Sequence, residues 1–202
     1  MYVLFTFFAL LPFSCVLAQT ADGFTLQTEE DDVRVYVREE PNSDMSVRVV
    51  TVARAGVTEV KATLDDAESY ADWVHRCDGA YVVDGGSTDN YIYVSGIDMP
   101  FPFRDKEVVA RINQWINEKG VLMRTITATP TAIPNDSGRD RLTVYSGEWV
   151  VSPLPGQNSV ELQCTVRTDA GSGLPGWLRK EILTGGPAQT VANLRRRLES
   201  AR

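Results

Sequence analysis

The chain has 202 residues, 43% of them hydrophobic, a length that suits one domain able to bury roughly two-thirds of its surface. Its 27 acidic residues outnumber 20 lysines and arginines, and a formal net charge of -7 argues against a nucleic-acid partner or a field drawn to anionic membranes. A single histidine, His75, and the absence of a Cys-x-x-Cys pair leave a zinc or copper site without support, and no cofactor is expected.

Residues 1–18 read as a signal peptide. Positions 3–13 are almost uninterruptedly apolar, and Val16, Leu17 and Ala18 set short side chains before Gln19. The run contains Pro12 and is too short to span a bilayer, so we expect cleavage and an exported protein, periplasmic or secreted. Export would leave Cys77 and Cys164 in an oxidising compartment. One follows a helical stretch and the other lies in an alternating strand, so two separate buried thiols are expected rather than a disulfide. Residues 19–32 are polar and acidic and read as a flexible leader, with the folded domain expected over 33–202.

Strict alternation over 33–38 marks a half-buried strand. After the turn at Pro41, Asn42, Ser43 and Asp44, a second strand over 47–53 completes a hairpin. Beyond Gly56 the period changes. Thr58 can cap a helix through Leu64 with Val60 and Leu64 on one face, and a shorter turn carries Tyr70, Trp73 and Val74. Strands then follow at 80–84 and 90–97 across Gly85-Gly86, at 108–116 and 121–128, and at 141–151 and 159–168, with a polar excursion over 130–140. The last alternates cleanly, with Val160, Leu162, Cys164 and Val166 on one face, so that face is dry.

The chain closes on an amphipathic helix over 174–202. Val191, Leu194 and Leu198 repeat at helical spacing and Trp177, Leu178, Ile182 and Leu183 make an earlier stripe, with a kink or restart expected at Pro187. Together these elements predict an α+β fold in which about seven antiparallel strands curl around a long C-terminal helix. Whether the interior is filled or hollow is left open by the pattern.

The run Met99-Pro100-Phe101-Pro102-Phe103-Arg104-Asp105-Lys106-Glu107 resembles the proline-rich corner of the START (steroidogenic-acute-regulatory-related lipid-transfer) domains. Tyr70-Ala71-Asp72-Trp73, Gly147-Glu148-Trp149 with Pro153, the stretch from Asp169 to Leu178, and Gly186-Pro187 with Leu194-Arg195 resemble further segments of that family, in the family's order. The resemblance implies a helix-grip fold with a tunnel holding one lipid. It also implies a carrier rather than an enzyme, with a lipid ligand and transient contact with a membrane or a donor protein.

If the sheet is hollow, the expected inward set is Tyr91, Tyr93, Ile112, Met123, Leu162, Cys164, Val166, Leu183 and Leu194, which would give a greasy cavity with a few hydroxyls. The same side chains would serve a solid core equally well. The family often sets a charged residue within the sheet against the ligand, and Arg111 is the candidate, although alternation turns Ile112 inward instead. Phe101 and Phe103 on the corner, with Leu174 opposite, would form a mouth or else plug the barrel end. No G-x-S-x-G elbow or phosphate-binding glycine loop occurs, and paired carboxylates such as Asp65-Asp66 are adjacent and point apart. The alternative reading is a helix-grip cyclase or hydrolase with a hydrophobic substrate.

Overall fold

The structure, a computed structural model, describes residues 20–41, 45–168 and 174–200, so the signal-peptide reading lies outside the described residues. The strands are β1 (Thr25–Glu30), β2 (Val33–Glu39) and β3 (Met45–Ala53), followed after the helices α1 (Val57–Asp65) and α2 (Tyr70–Trp73) by β4 (Cys77–Ser87), β5 (Asn90–Ile97) and β6 (Lys106–Ile116). Next come β7 (Leu122–Ala128), β8 (Asp140–Arg141), β9 (Tyr145–Pro153) and β10 (Val160–Thr168), then α3 (Gly176–Lys180), a π turn (Glu181–Gly185) and α4 (Gly186–Ser200). They form one ten-stranded sheet in the order β1-β2-β3-β10-β9-β7-β6-β5-β4, with β8 parallel to β6 and every other pairing antiparallel. The sheet curves around the C-terminal helix as expected.

The stretch read as a leader belongs to this sheet from Thr25 onward. β1 pairs with β2 through a two-residue turn at Asp31 and Asp32, both at positive φ, the twist that suits a tight hairpin. Just before it, Phe24 is fully buried beneath the guanidinium groups of Arg38 and Arg48, 4.5 and 4.0 Å from its ring. A polar strand gives no hydropathy signal; its order comes from the backbone ladder and from this one aromatic anchor.

Gly56 is the N-cap of helix α1, and its N–H donates to the Glu59 carboxylate at 2.5 Å, so the capping side chain is this glutamate and not Thr58. Val60 and Leu64 are buried as the spacing required. The polar excursion before β9 is held by Arg141, whose guanidinium reaches the carbonyls of Pro130, Ile133 and Pro134 and the Glu107 carboxylate.

Strand register assembles the inner face in rows. Val49, Cys164, Trp149, Arg124 and Gln114 lie side by side across five strands. Beside them run Val47, Val166, Gly147, Ile126, Ile112 and Tyr91. Helix α4 lays Val191, Leu194 and Leu198 against this surface, all buried. The restart expected at Pro187 falls one residue earlier: α4 begins at Gly186, with Pro187 in its first turn. The preceding stretch widens into the π turn, with the Gly186 N–H bonded to the Glu181 carbonyl, and such a turn relieves the clash between a proline ring and the preceding helical carbonyls.

Candidate functional site

Between the sheet and the helices lies a cavity of about 180 Å³. One wall is β-sheet: Tyr93 and Ser95 from β5, Val108 from β6, Ile126 from β7, Tyr145, Gly147 and Trp149 from β9, and Cys164, Val166 and Thr168 from β10. The opposite wall is Leu64, Tyr70 and Trp73 from the first helical segment, and the rim includes Met99, Lys106, His75, Arg76, Glu181, Ile182 and Pro187. Gly147 leaves part of this wall bare, because a Cβ there would meet the Ile126 side chain at 3.2 Å.

Hydroxyl and thiol groups dot the apolar lining, and burial sets their proton affinities. Desolvation raises the Tyr93 and Tyr145 phenols above their usual range and pushes the Cys164 thiol up to about 12, so all three are neutral near pH 7. Tyr70 is raised for the same reason, against the pull of Arg124. The indole Nε1 of Trp73 is buried and has no hydrogen-bond partner among the described residues.

One end of the interior is closed by charge. Arg124 is only 1% exposed, and it donates to Asp65 and Gln114 at 2.8 and 2.9 Å and to the hydroxyls of Tyr70 and Tyr91 at 3.2 and 2.8 Å. Burial alone would lower its proton affinity; Tyr70, Tyr91 and Asp65 outweigh that and raise it. At the rim, His75 Nε2 lies 2.9 Å from the Glu181 carboxylate and its backbone N–H donates to Thr190, tying the segment after α2 to the C-terminal helix. Among the described residues no three His, Cys, Asp or Glu side chains are grouped to hold a metal ion.

Residues 55–195 match the model of the family described as polyketide cyclase/dehydrase and lipid transport. The chain belongs to that family. An uncharacterised protein of Pseudomonas aeruginosa is 31% identical over 176 residues, spanning 87% of this chain and 86% of its own. The crystal structure of a STAR-related lipid transfer protein fragment from Xanthomonas axonopodis superimposes with a TM-score of 0.79 at 20% identity, covering 88% of this chain and 99% of that one. Human StAR-related lipid transfer protein 5 gives 0.73 at 16% identity, over 90% and 88% of the two chains. The fold is therefore the START-type helix grip, and lipid binding is the coarse function that goes with the family.

This START-type frame sorts the residues singled out in the sequence. Tyr93, Cys164 and Val166 line the cavity. Tyr91 is buried behind it, on the Arg124 network. Ile112, Leu162 and Leu194 are fully buried packing residues that are not part of the cavity wall, and Leu183 faces a second groove across the helix with Val35, Val37 and Met45. Arg111 is exposed and bonded to Asn90, on the convex face, as the alternation around Ile112 required. Met123 also turns outward, pairing with Trp115 and Val150, because the inward position of β7 is taken by Arg124. Phe101 is 96% exposed, while Phe103 and Leu174 are half-buried; the corner reaches the cavity through Met99 instead. Cys77 and Cys164 are free and buried, as expected.

Several wall residues were not foreseen. Ser95, Tyr145 and Thr168 continue alternations already evident in Tyr91-Tyr93, Gly147-Trp149 and Cys164-Val166, and extending each strand by one period would have found them. Arg124 carried no comparable signal, since an arginine in a strand ordinarily faces water.

Proposed function

We propose that this protein is a carrier that takes one lipid-like molecule into the cavity between sheet and C-terminal helix and hands it over without chemistry. The observation that carries this reading is the partly open, mostly apolar cavity wall with neutral hydroxyls, rimmed by the C-terminal helix at its π turn. The cavity's volume of about 180 Å³ lies below the range of roughly 300–1,000 Å³ usual for small-molecule sites. Loading therefore requires the Glu181–Gly185 turn and the Met99 corner to move apart. Phe101, 96% exposed on the corner, and Trp177, 62% exposed on α3 just before the turn, with Arg104 and Lys180 nearby in sequence, support docking to a membrane or donor protein during exchange. Residues 1–18 would direct the carrier out of the cytoplasm, to the periplasm or beyond.

The family also contains cyclases and dehydrases, and the acid-base pair available for such chemistry is His75 with Glu181. That pair stands at the rim and is already self-satisfied, whereas the phenols and thiol on the wall are held neutral by burial, so the carrier reading is preferred. The test is to purify the protein under native conditions, extract it with organic solvent and weigh what is released. A lipid in roughly equimolar amount is the expected result; reproducibly empty protein that also fails to bind added lipid removes the proposal.

A further inference from the structure

The mouth of the cavity carries two basic side chains without an ionic partner. Arg76 follows α2, Lys106 opens β6, and both line the cavity. Register brings them to the same end of the sheet. Cys77, next to Arg76, pairs with Ile97 and Ile97 with Lys106, which sets the two backbones two strand spacings, about 10 Å, apart. By alternation Lys106 shares the inward row of β6 with Val108, Ala110 and Ile112. Among the described residues its ammonium group meets no acceptor, and the Arg76 guanidinium reaches only the Asp98 carbonyl, at 3.4 Å, while its Nε is buried with no partner. Acids of the surrounding segments are committed elsewhere: Glu181 to His75 at 2.9 Å, Asp78 to Arg139 at 2.6 Å and Asp105 to the Met99 N–H at 2.9 Å. Arg124, Arg139 and Arg141 each hold a carboxylate at 2.6–2.8 Å, so two uncommitted cations on one apolar mouth are an exception in this acidic chain.

The backbone of Arg76 makes a second, independent observation. Its φ is 57°, in the left-handed region that glycine enters freely and a residue with a side chain enters at a cost. Such strain persists where it positions a group. A glycine would make the same turn from α2 into β4; what arginine adds is a cation on the cavity lining. Farther in, the wall is hydrocarbon with uncharged phenols and a thiol, which offer an ion no countercharge.

Resting on the carrier reading, we propose that the ligand is a single-chain amphiphile with an anionic head, a carboxylate or a phosphate, that lies tail inward and leaves its head at the mouth between Arg76 and Lys106. One chain rather than two suits a cavity of about 180 Å³.

The experiment compares cis-parinaric acid with its methyl ester by fluorescence on the intact wild-type protein at pH 8, where the free acid is ionised. The acid is expected to bind at least about tenfold more tightly. Arg76→Gly, which takes the left-handed turn without strain, and Lys106→Gln should each weaken the acid about tenfold, the loss of one charge-assisted hydrogen bond, and leave the ester unchanged. Palmitate, hexadecyl phosphate and hexadecanol then compete for the bound acid. Displacement by the anions well below the hexadecanol concentration required is expected, and the stronger anion identifies the head. Ester binding as tight as acid binding, or hexadecanol competing as well as the anions, overturns this inference and leaves the carrier standing, and neither comparison needs a variant to fold. Unchanged acid affinity in both folded variants overturns it as well. Failure of every probe to bind removes the carrier reading and this one together.

Discussion

Arg124 is the side chain whose environment is most demanding. Its guanidinium is buried, yet Asp65, Gln114, Tyr70 and Tyr91 supply acceptors for both terminal nitrogens, and the Tyr70 hydroxyl in turn donates to the Leu64 carbonyl at 2.5 Å. Removing the cation leaves a partly buried carboxylate and three polar groups facing one another. Arg124→Met is therefore expected to cost about 3–5 kcal/mol in urea unfolding, and Arg111→Met, on the outer face, to stay within about 0.5 kcal/mol of the parent. Equal costs for the two would mean that the network contributes nothing. Gly96 presents a smaller case of the same logic. The Asp78 and Arg139 side chains clasp across it, and a Cβ would lie 2.0 Å from atoms of both. Because those atoms end flexible, partly exposed side chains, Gly96→Ala should break the pair and lower stability by only about 1 kcal/mol. A thermal melt distinguishes that from collapse of the strand.

At the scale of elements, the C-terminal helix has two parts with different duties. α4 holds the fold together, with Val191, Leu194 and Leu198 buried, Asn193 donating to the Trp73 carbonyl at 2.8 Å and Arg195 to the Asp31 carbonyl at 2.7 Å. A charge in that stripe, as in Leu194→Asp, should cost about 3–5 kcal/mol, read as a fall in the urea midpoint. The π turn is the part built to yield, since its geometry is less stable than α-helix and two glycines follow one another at its end. Gly186 has helical angles, φ -60° and ψ -52°, and a Cβ there would sit 3.4 Å or more from its neighbours. Gly186→Ala should thus fit and stabilise by about 0.5–1 kcal/mol through reduced freedom of the unfolded chain. If the turn is the gate, release of bound cis-parinaric acid slows in parallel; release at the parent rate in a stabilised variant would place the gate elsewhere.

For the molecule as a whole, the buried neutral wall has a consequence at high pH. Below about pH 9 the Cys164 thiol and the phenols of Tyr70, Tyr93 and Tyr145 are protonated in folded and unfolded chains alike. Above the ordinary values of 9.0 for the thiol and 10.0 for the phenols the unfolded chain loses protons that the folded one keeps. Stability therefore falls as pH rises, by about 1.4 kcal/mol per pH unit for each group that has begun to titrate. Urea midpoints measured from pH 8 to pH 11 should decline with increasing slope, and Cys164→Ala should remove the earliest portion. A flat profile would mean that these side chains reach water in the folded state.

Much of this architecture was written locally. Alternation in 90–97 and 159–168, the Val60-Leu64 and Val191-Leu194-Leu198 stripes and the proline corner each depend on neighbours within a turn or a strand, so the sequence alone determined an antiparallel sheet closed by a terminal helix and pointed to its family. Two things escaped it for one reason. β1 is polar except for Leu26 and is ordered by pairing with β2 and by Phe24 beneath two arginines, partners supplied from elsewhere in the chain. Likewise Met123 looked the better inward residue of β7 until Asp65, Gln114, Tyr70 and Tyr91 converged on Arg124 from four other elements. The cavity itself belongs to no residue. Whether apolar side chains meet or stop short is fixed by strand curvature, by the bare backbone of Gly147 and by the seat of the helix, and only the tertiary structure decides those distances.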